Sequence, residues 1–183
     1  MSAELRKILF FTLATVLISI GYYLFISVKY PAIEEHETIL FEIGEGLGEI
    51  ALWLVVFIYL RTLLKVVLGK GGFSKRLLPS YSSPVDARYF KTLITYLDRT
   101  HIYFGIAAIA VSLLHVVMVG LPMHILFFPA VLALLLWQGA FGMFISWRYS
   151  PKELRKFSYL VHAQLFTGIM MGVFAYFGHL LID

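Results

Sequence analysis

Residues 101–120 read HIYFGIAAIAVSLLHVVMVG, twenty positions without a charged side chain and with histidines at 101 and 115. About 20 apolar residues are what an α-helix needs to cross the hydrocarbon core of a bilayer. An ionisable group inside such a span is costly, so a histidine there is a functional candidate. Outward from this stretch, four more have the same character: Ile8–Val28, about Leu47–Leu68, about Met123–Trp147 and about Phe157–Ile182. The chain therefore reads as an all-α membrane protein, a five-transmembrane-helix bundle forming a single domain over residues 1–183. The first stretch is too long for a signal-peptide core and has no small-residue cleavage site, so it is expected to be retained. Pro129 predicts a kink in the fourth span, where it would free a backbone carbonyl.

Composition agrees. Of the 183 residues, 60% are hydrophobic and 14% charged, against about 45–50% and about 25% in soluble domains. That balance argues against a soluble enzyme, a disordered chain and a coiled coil. There is no cysteine, which excludes disulfides, thiolate metal sites, iron–sulfur clusters and cysteine nucleophiles. No dinucleotide fingerprint or P-loop is present, and Gly69-Lys70-Gly71-Gly72 is an isolated glycine-rich turn.

The net charge of +4 is informative through its distribution, and no nucleic-acid partner is expected. All but Lys29 of the 15 basic residues fall in three regions. Arg6 and Lys7 precede the first span. Arg61, Lys65, Lys70, Lys75, Arg76, Arg88, Lys91 and Arg99 lie at the end of the second span or in the loop 69–100. Arg148, Lys152, Arg155 and Lys156 join the fourth and fifth spans. The connection between spans one and two carries Glu34, Glu35, Glu37, Glu42, Glu45 and Glu49 instead. The positive-inside rule then predicts a cytoplasmic N-terminus and an outside C-terminus. Within the cytoplasmic loop, 79–84 is turn chemistry. The segment 86–99 reads as an interfacial amphipathic helix with Tyr89, Leu93, Tyr96 and Leu97 on its apolar side.

Of six histidines, His36 and His124 fall in outer connections and read as solvated. His101, His115, His162 and His179 fall on the third and fifth spans. His101 and His115 are 14 residues apart, which puts them on one side of a helix and about 21 Å apart along it. His162 lies near the cytoplasmic end of the fifth span and His179 near its outer end. Two histidines at each of two depths, on two helices, is the arrangement that two bis-histidine b-type haems stacked across a bilayer require.

The segment Asp98-Arg99-Thr100-His101-Ile102-Tyr103-Phe104-Gly105, followed by Leu113-Leu114-His115, resembles the third span of the ferric reductase-like transmembrane domains. Leu160-Val161-His162 after Arg155-Lys156 resembles the start of that family's fifth span. The family includes ferric reductases, NADPH oxidases and the membrane cytochrome subunit of the methionine sulfoxide reductase system. The resemblance covers about residues 88–183. It implies haem b as cofactor, His101, His115, His162 and His179 as iron ligands, and electron transfer from the cytoplasm outward. A multi-pass protein of a prokaryotic cell (inner) membrane is the expected localisation. His162 and His179 stand 17 residues apart, about 100° out of phase on a regular helix. Either the helix is bulged or kinked, aided by Gly168, Gly172 and Gly178, or one haem is missing or differently ligated.

Around the histidines, Arg99, Arg148 and Arg155 are candidates to pair with haem propionates, or else positive-inside anchors. Gly105, one turn past His101, offers room for a porphyrin. Glu42, Glu45 and Glu49 share one helix face and could receive protons or dock a basic partner, or simply be a solvated helix start. No flavin or nicotinamide domain is encoded, so electrons are expected from a quinol, with quinone as a further cofactor, or from a separate reductase subunit. The partners expected are membrane lipid and a donor or acceptor protein. The chain itself is expected to be an electron-transfer subunit of an oxidoreductase. The rival expectation is a haem-free transporter or anchor subunit, with the histidines in proton, metal or structural roles.

Overall fold

In the computed structural model, residues 3–29, 38–68, 88–162 and 164–182 are described. They form six helices and, among the described residues, no strand. These are α1 (Ala3–Lys29), α2 (Ile39–Leu68), α3 (Arg88–Val119), α4 (Phe127–Ser146), α5 (Lys152–His162) and α6 (Leu165–His179). Four of them, α1 to α4, are long and apolar enough to cross a membrane, and α5 with α6 makes a fifth if that bent pair counts as one span. The glycine-rich turn at 69–72, the loop at 79–84, His36 and the acidic residues Glu34, Glu35 and Glu37 lie outside the described residues.

α2 and α3 form an antiparallel hairpin. Its register runs from Gly44 beside Val119, through Gly48 beside His115 and Phe57 against Phe104, to the Arg61–Asp98 ion pair at the other end. α6 is the centre of a second group. Phe166 and Phe177 meet Phe11 and Tyr23 of α1. Phe174 and Phe177 meet Phe127 of α4. Phe141 of α4 meets Phe157 of α5. Ile26, Ile125 and Phe127 form a buried cluster at the end of the bundle where α6 finishes. α1 faces inward with a seam of small and branched residues, Thr15, Ser19 and Ile26, all buried. Small side chains let membrane helices approach closely.

The exterior is apolar. Phe10, Ile18, Val28, Trp53 and Val117 are among many large apolar side chains left exposed. A water-soluble monomer rarely exposes apolar area so continuously.

Several boundaries differ from those expected. The segment from Arg88 to Thr100 is the first part of α3 and not a separate interfacial helix, because nothing there breaks the helical pattern. Its buried side carries Phe90 and Leu97, while Tyr89, Leu93 and Tyr96 face outward. α3 stops at Gly120, whose φ of +93° only glycine adopts without strain. α2 starts at Ile39 and so takes in Glu42, Glu45 and Glu49, all exposed. Pro129 is the third residue of α4, not an interior one. The first four N–H groups of a helix have no intrahelical acceptor, so a proline there removes no helical hydrogen bond and no kink follows.

Candidate functional site: two histidine pairs

The helix expected over 157–182 is interrupted. α5 ends at His162, Gln164 is extended (φ −82°, ψ 121°), and α6 resumes at Leu165, with 49° between the two helices. The interruption resets the helical phase, so His162 and His179 both turn towards α3 despite their 17-residue separation. None of the three glycines makes the bend. Gly168 packs on the Tyr59 ring, and Gly178 on Phe127 and Phe128.

The result is two histidine pairs. His101 Nε2 lies 3.4 Å from His162 Nε2, both rings are half-buried, and the ring planes cross at 76°. His115 and His179 have ring centroids 6.4 Å apart and planes at 26°, and Phe128 meets the His179 ring edge-on at 5.3 Å. His124 is exposed in the turn before α4. α3 has little direct helix packing with α5 or α6, so the histidine rings are what reach across.

Neighbouring backbone carbonyls orient the rings. His115 Nδ1 donates to the Gly44 carbonyl at 2.8 Å, His162 Nδ1 to Gln138 at 2.9 Å, and His179 Nδ1 to Ala175 at 2.8 Å. A carbonyl only accepts, so in each of these rings the proton sits on Nδ1 and Nε2 keeps its lone pair. This is how a metal-ligating histidine is held in the right tautomer and orientation. The supporting residues are small. A Cβ at Gly48 would come 2.8 Å from His115 Cε1, and one at Gly142 would come 3.0 Å from His162 Cε1. Sequence reasoning missed Gly44, Gly48, Gln138 and Gly142. The Gly44-x-x-x-Gly48 spacing was a readable signal of close helix approach.

The arginines are less concentrated on the pairs than expected. Arg155 donates from Nη2 to the carbonyls of Trp147 (3.0 Å) and Arg148 (3.3 Å), closing the end of α4. Arg148 is exposed and lies over the Tyr149 ring. Arg99 stands two positions before His101, hence about 160° round α3 from it, in a groove with Lys91.

The donor set suits haem. Among the described residues, no three of His, Asp and Glu gather to hold a metal ion. Each pair offers two nitrogens, too few for a bare ion that takes four or more ligands but the number a porphyrin iron lacks. At ordinary metal–imidazole lengths, two opposed nitrogens sit about 4 Å apart. At 3.4 Å the His101 and His162 nitrogens stand about 0.6 Å short of that separation. A Cβ at Gly105 or at Gly172 would meet nothing within 4 Å. By helical periodicity Gly105 falls about 40° round α3 from His101, and Gly172 about 20° round α6 from His179. No family model, curated protein or solved structure matches the chain.

Proposed function

We propose that this chain is a membrane b-type cytochrome that carries electrons across a bilayer on two bis-histidine haems. The observation that carries the reading is the meeting of four histidines from α3, α5 and α6 in two facing pairs. Haem iron bound between each pair would supply a one-electron ferric–ferrous couple. His101 and His162 would hold one haem, and His115 and His179 the other. The carbonyls of Gly44, Gln138 and Ala175 fix three of the four rings with Nε2 free to ligate. The apolar helices exclude water and lower the local dielectric. The two layers stand about 21 Å apart along α3.

Under the positive-inside rule the His101–His162 layer is cytoplasmic and the C-terminal end of α6 lies outside. The bent α5–α6 pair is the fifth span of this topology. Electrons enter from a quinol or a separate reductase subunit and leave towards an acceptor outside. A prokaryotic cell membrane is the expected setting.

One observation favours a second reading. At 3.4 Å, His101 and His162 are also within reach of a direct interhelical hydrogen bond, as in a haem-free transporter or anchor subunit. Single alanine substitutions with a haem count per chain separate the two. The cytochrome reading predicts that His101→Ala and His162→Ala lose the same haem, and that His115→Ala and His179→Ala lose the other. Unchanged cofactor content in all four variants would contradict it.

A further inference from the structure

α3 is 32 residues long, about 48 Å at 1.5 Å per residue, against a hydrocarbon core of about 30 Å. Its uncharged run starts at His101, so the surplus length lies at the Arg88 end. That end carries a shallow groove of about 350 Å³ lined by Lys91, Thr92, Thr95, Tyr96 and Arg99. Lys91, Thr95 and Arg99 recur every four residues and form one stripe, with Thr92 and Tyr96 forming a second beside it. All five side chains are exposed, and no carboxylate is among them.

The opposite side of this segment is anchored. Phe90 and Leu97 are buried about 180° away from the groove, and Asp98 pairs with Arg61 of α2. The basic stripe is thereby held facing outward. Thr92 and Thr95 donate their hydroxyl protons to the Arg88 and Lys91 carbonyls, at 2.9 and 2.8 Å. Their oxygens are left as acceptors, so Lys91 and Arg99 are the cationic groups in the groove that can bind an anion. Their Cα atoms are separated by a rise of about 12 Å along α3, so on a membrane-crossing helix the two charges approach one headgroup layer from either side, Arg99 from the hydrocarbon edge and Lys91 from the cytoplasm. Tyr96 places an amphipathic ring between them, as aromatic residues do at a membrane–water boundary.

We propose that this groove binds an anionic phospholipid headgroup at the cytoplasmic face, with Lys91 and Arg99 converging on its phosphodiester. The proposal rests on the membrane reading of α1 to α4 and is independent of haem. It also gives Arg99 a role away from the histidine pairs, in keeping with its place on α3.

The test uses the full chain purified in a neutral detergent, with lipid binding read by native mass spectrometry. Phosphatidylglycerol is titrated against phosphatidylcholine, and inorganic phosphate is the third arm. Each basic group near an anionic headgroup contributes enough that loss of two weakens binding by about 30-fold. The K91Q/R99Q double variant is therefore expected to bind phosphatidylglycerol about 30-fold more weakly than the wild type. The charge-conserving K91R/R99K variant is expected to stay within about threefold, and phosphatidylcholine to bind all forms alike. Phosphatidylglycerol binding that is equal in wild type and K91Q/R99Q would overturn the proposal. So would inorganic phosphate occupying the groove as tightly as the lipid, since the ligand would then be the free ion. A chain that stays in solution after detergent removal would instead count against the membrane reading itself.

Discussion

Gly48→Ala probes the packing that holds His115 in place. A Cβ at position 48 would lie 2.8 Å from His115 Cε1 and 2.9 Å from its Nδ1. Carbon contacts are best at about 3.5–4.0 Å, so the added methyl intrudes by about 0.7 Å or more. If the hairpin gives way, overpacking costs about 1–3 kcal/mol. If the ring swings out instead, Nδ1 leaves the Gly44 carbonyl, at about 1 kcal/mol for the lost hydrogen bond. Alanine also gains about 0.8–1 kcal/mol over glycine in helix propensity, which would mask part of the effect. Gly46→Ala supplies the control, because its Cβ would meet nothing within 4 Å and it carries the same propensity gain. The difference between the two variants is then about 1–3 kcal/mol, with Gly48→Ala the less stable. For a chain of this size that is a melting-temperature gap of about 2–12 °C. Circular dichroism of both proteins in the same detergent measures it. Gly48→Ala melting at or above Gly46→Ala would refute the close approach of α2 to His115.

Gly105→Leu puts a side chain where, among the described residues, a Cβ would meet nothing within 4 Å. It is expected to keep the helical circular dichroism while lowering haem content at the His101–His162 layer, with a melting temperature lowered by the loss of the bound ligand; full haem content would contradict the assignment of that space. Pro129→Ala is expected to change stability by less than about 0.5 kcal/mol, because residue 129 sits in the first turn of α4. A gain near 3 kcal/mol, the cost of an interior proline, would show that it kinks the helix. Tyr22→Phe removes the hydroxyl that accepts from the Leu126 N–H at 2.9 Å and donates to the His124 carbonyl at 3.4 Å. Chemical denaturation is expected to show a loss of about 0.5–1.5 kcal/mol, and an unchanged midpoint would mean the contact between α1 and the start of α4 is not made.

The depths of the histidines were legible because helical rise converts sequence separation directly into height. The spacing set His101 level with His162, and His115 with His179, and those are the pairs that meet in the fold. The positions of the helices followed from runs of apolar residues, but their ends did not. Charge marks where a helix leaves the apolar layer, not where it stops, and α3 continues to Arg88 because its polar first turns are still helical. The interruption at Gln164 was hidden for a different reason. No proline or glycine occupies 163–165, and of the three glycines expected to aid a bend, Gly168 and Gly178 pack against Tyr59, Phe127 and Phe128 while Gly172 meets nothing within 4 Å. The oriented carbonyls were equally hidden. Every residue has a carbonyl, and only the tertiary approach of α2 and α4 shows that those of Gly44 and Gln138 are the ones aimed at His115 and His162.

The most direct test of the account is a dithionite-reduced minus oxidised optical spectrum of the wild-type chain, purified folded from haem-replete cells, with a pyridine haemochrome count. Two bis-histidine sites predict a b-type spectrum and two haems per chain. A folded protein with no haem would contradict it and leave His101 and His162 as an interhelical hydrogen bond.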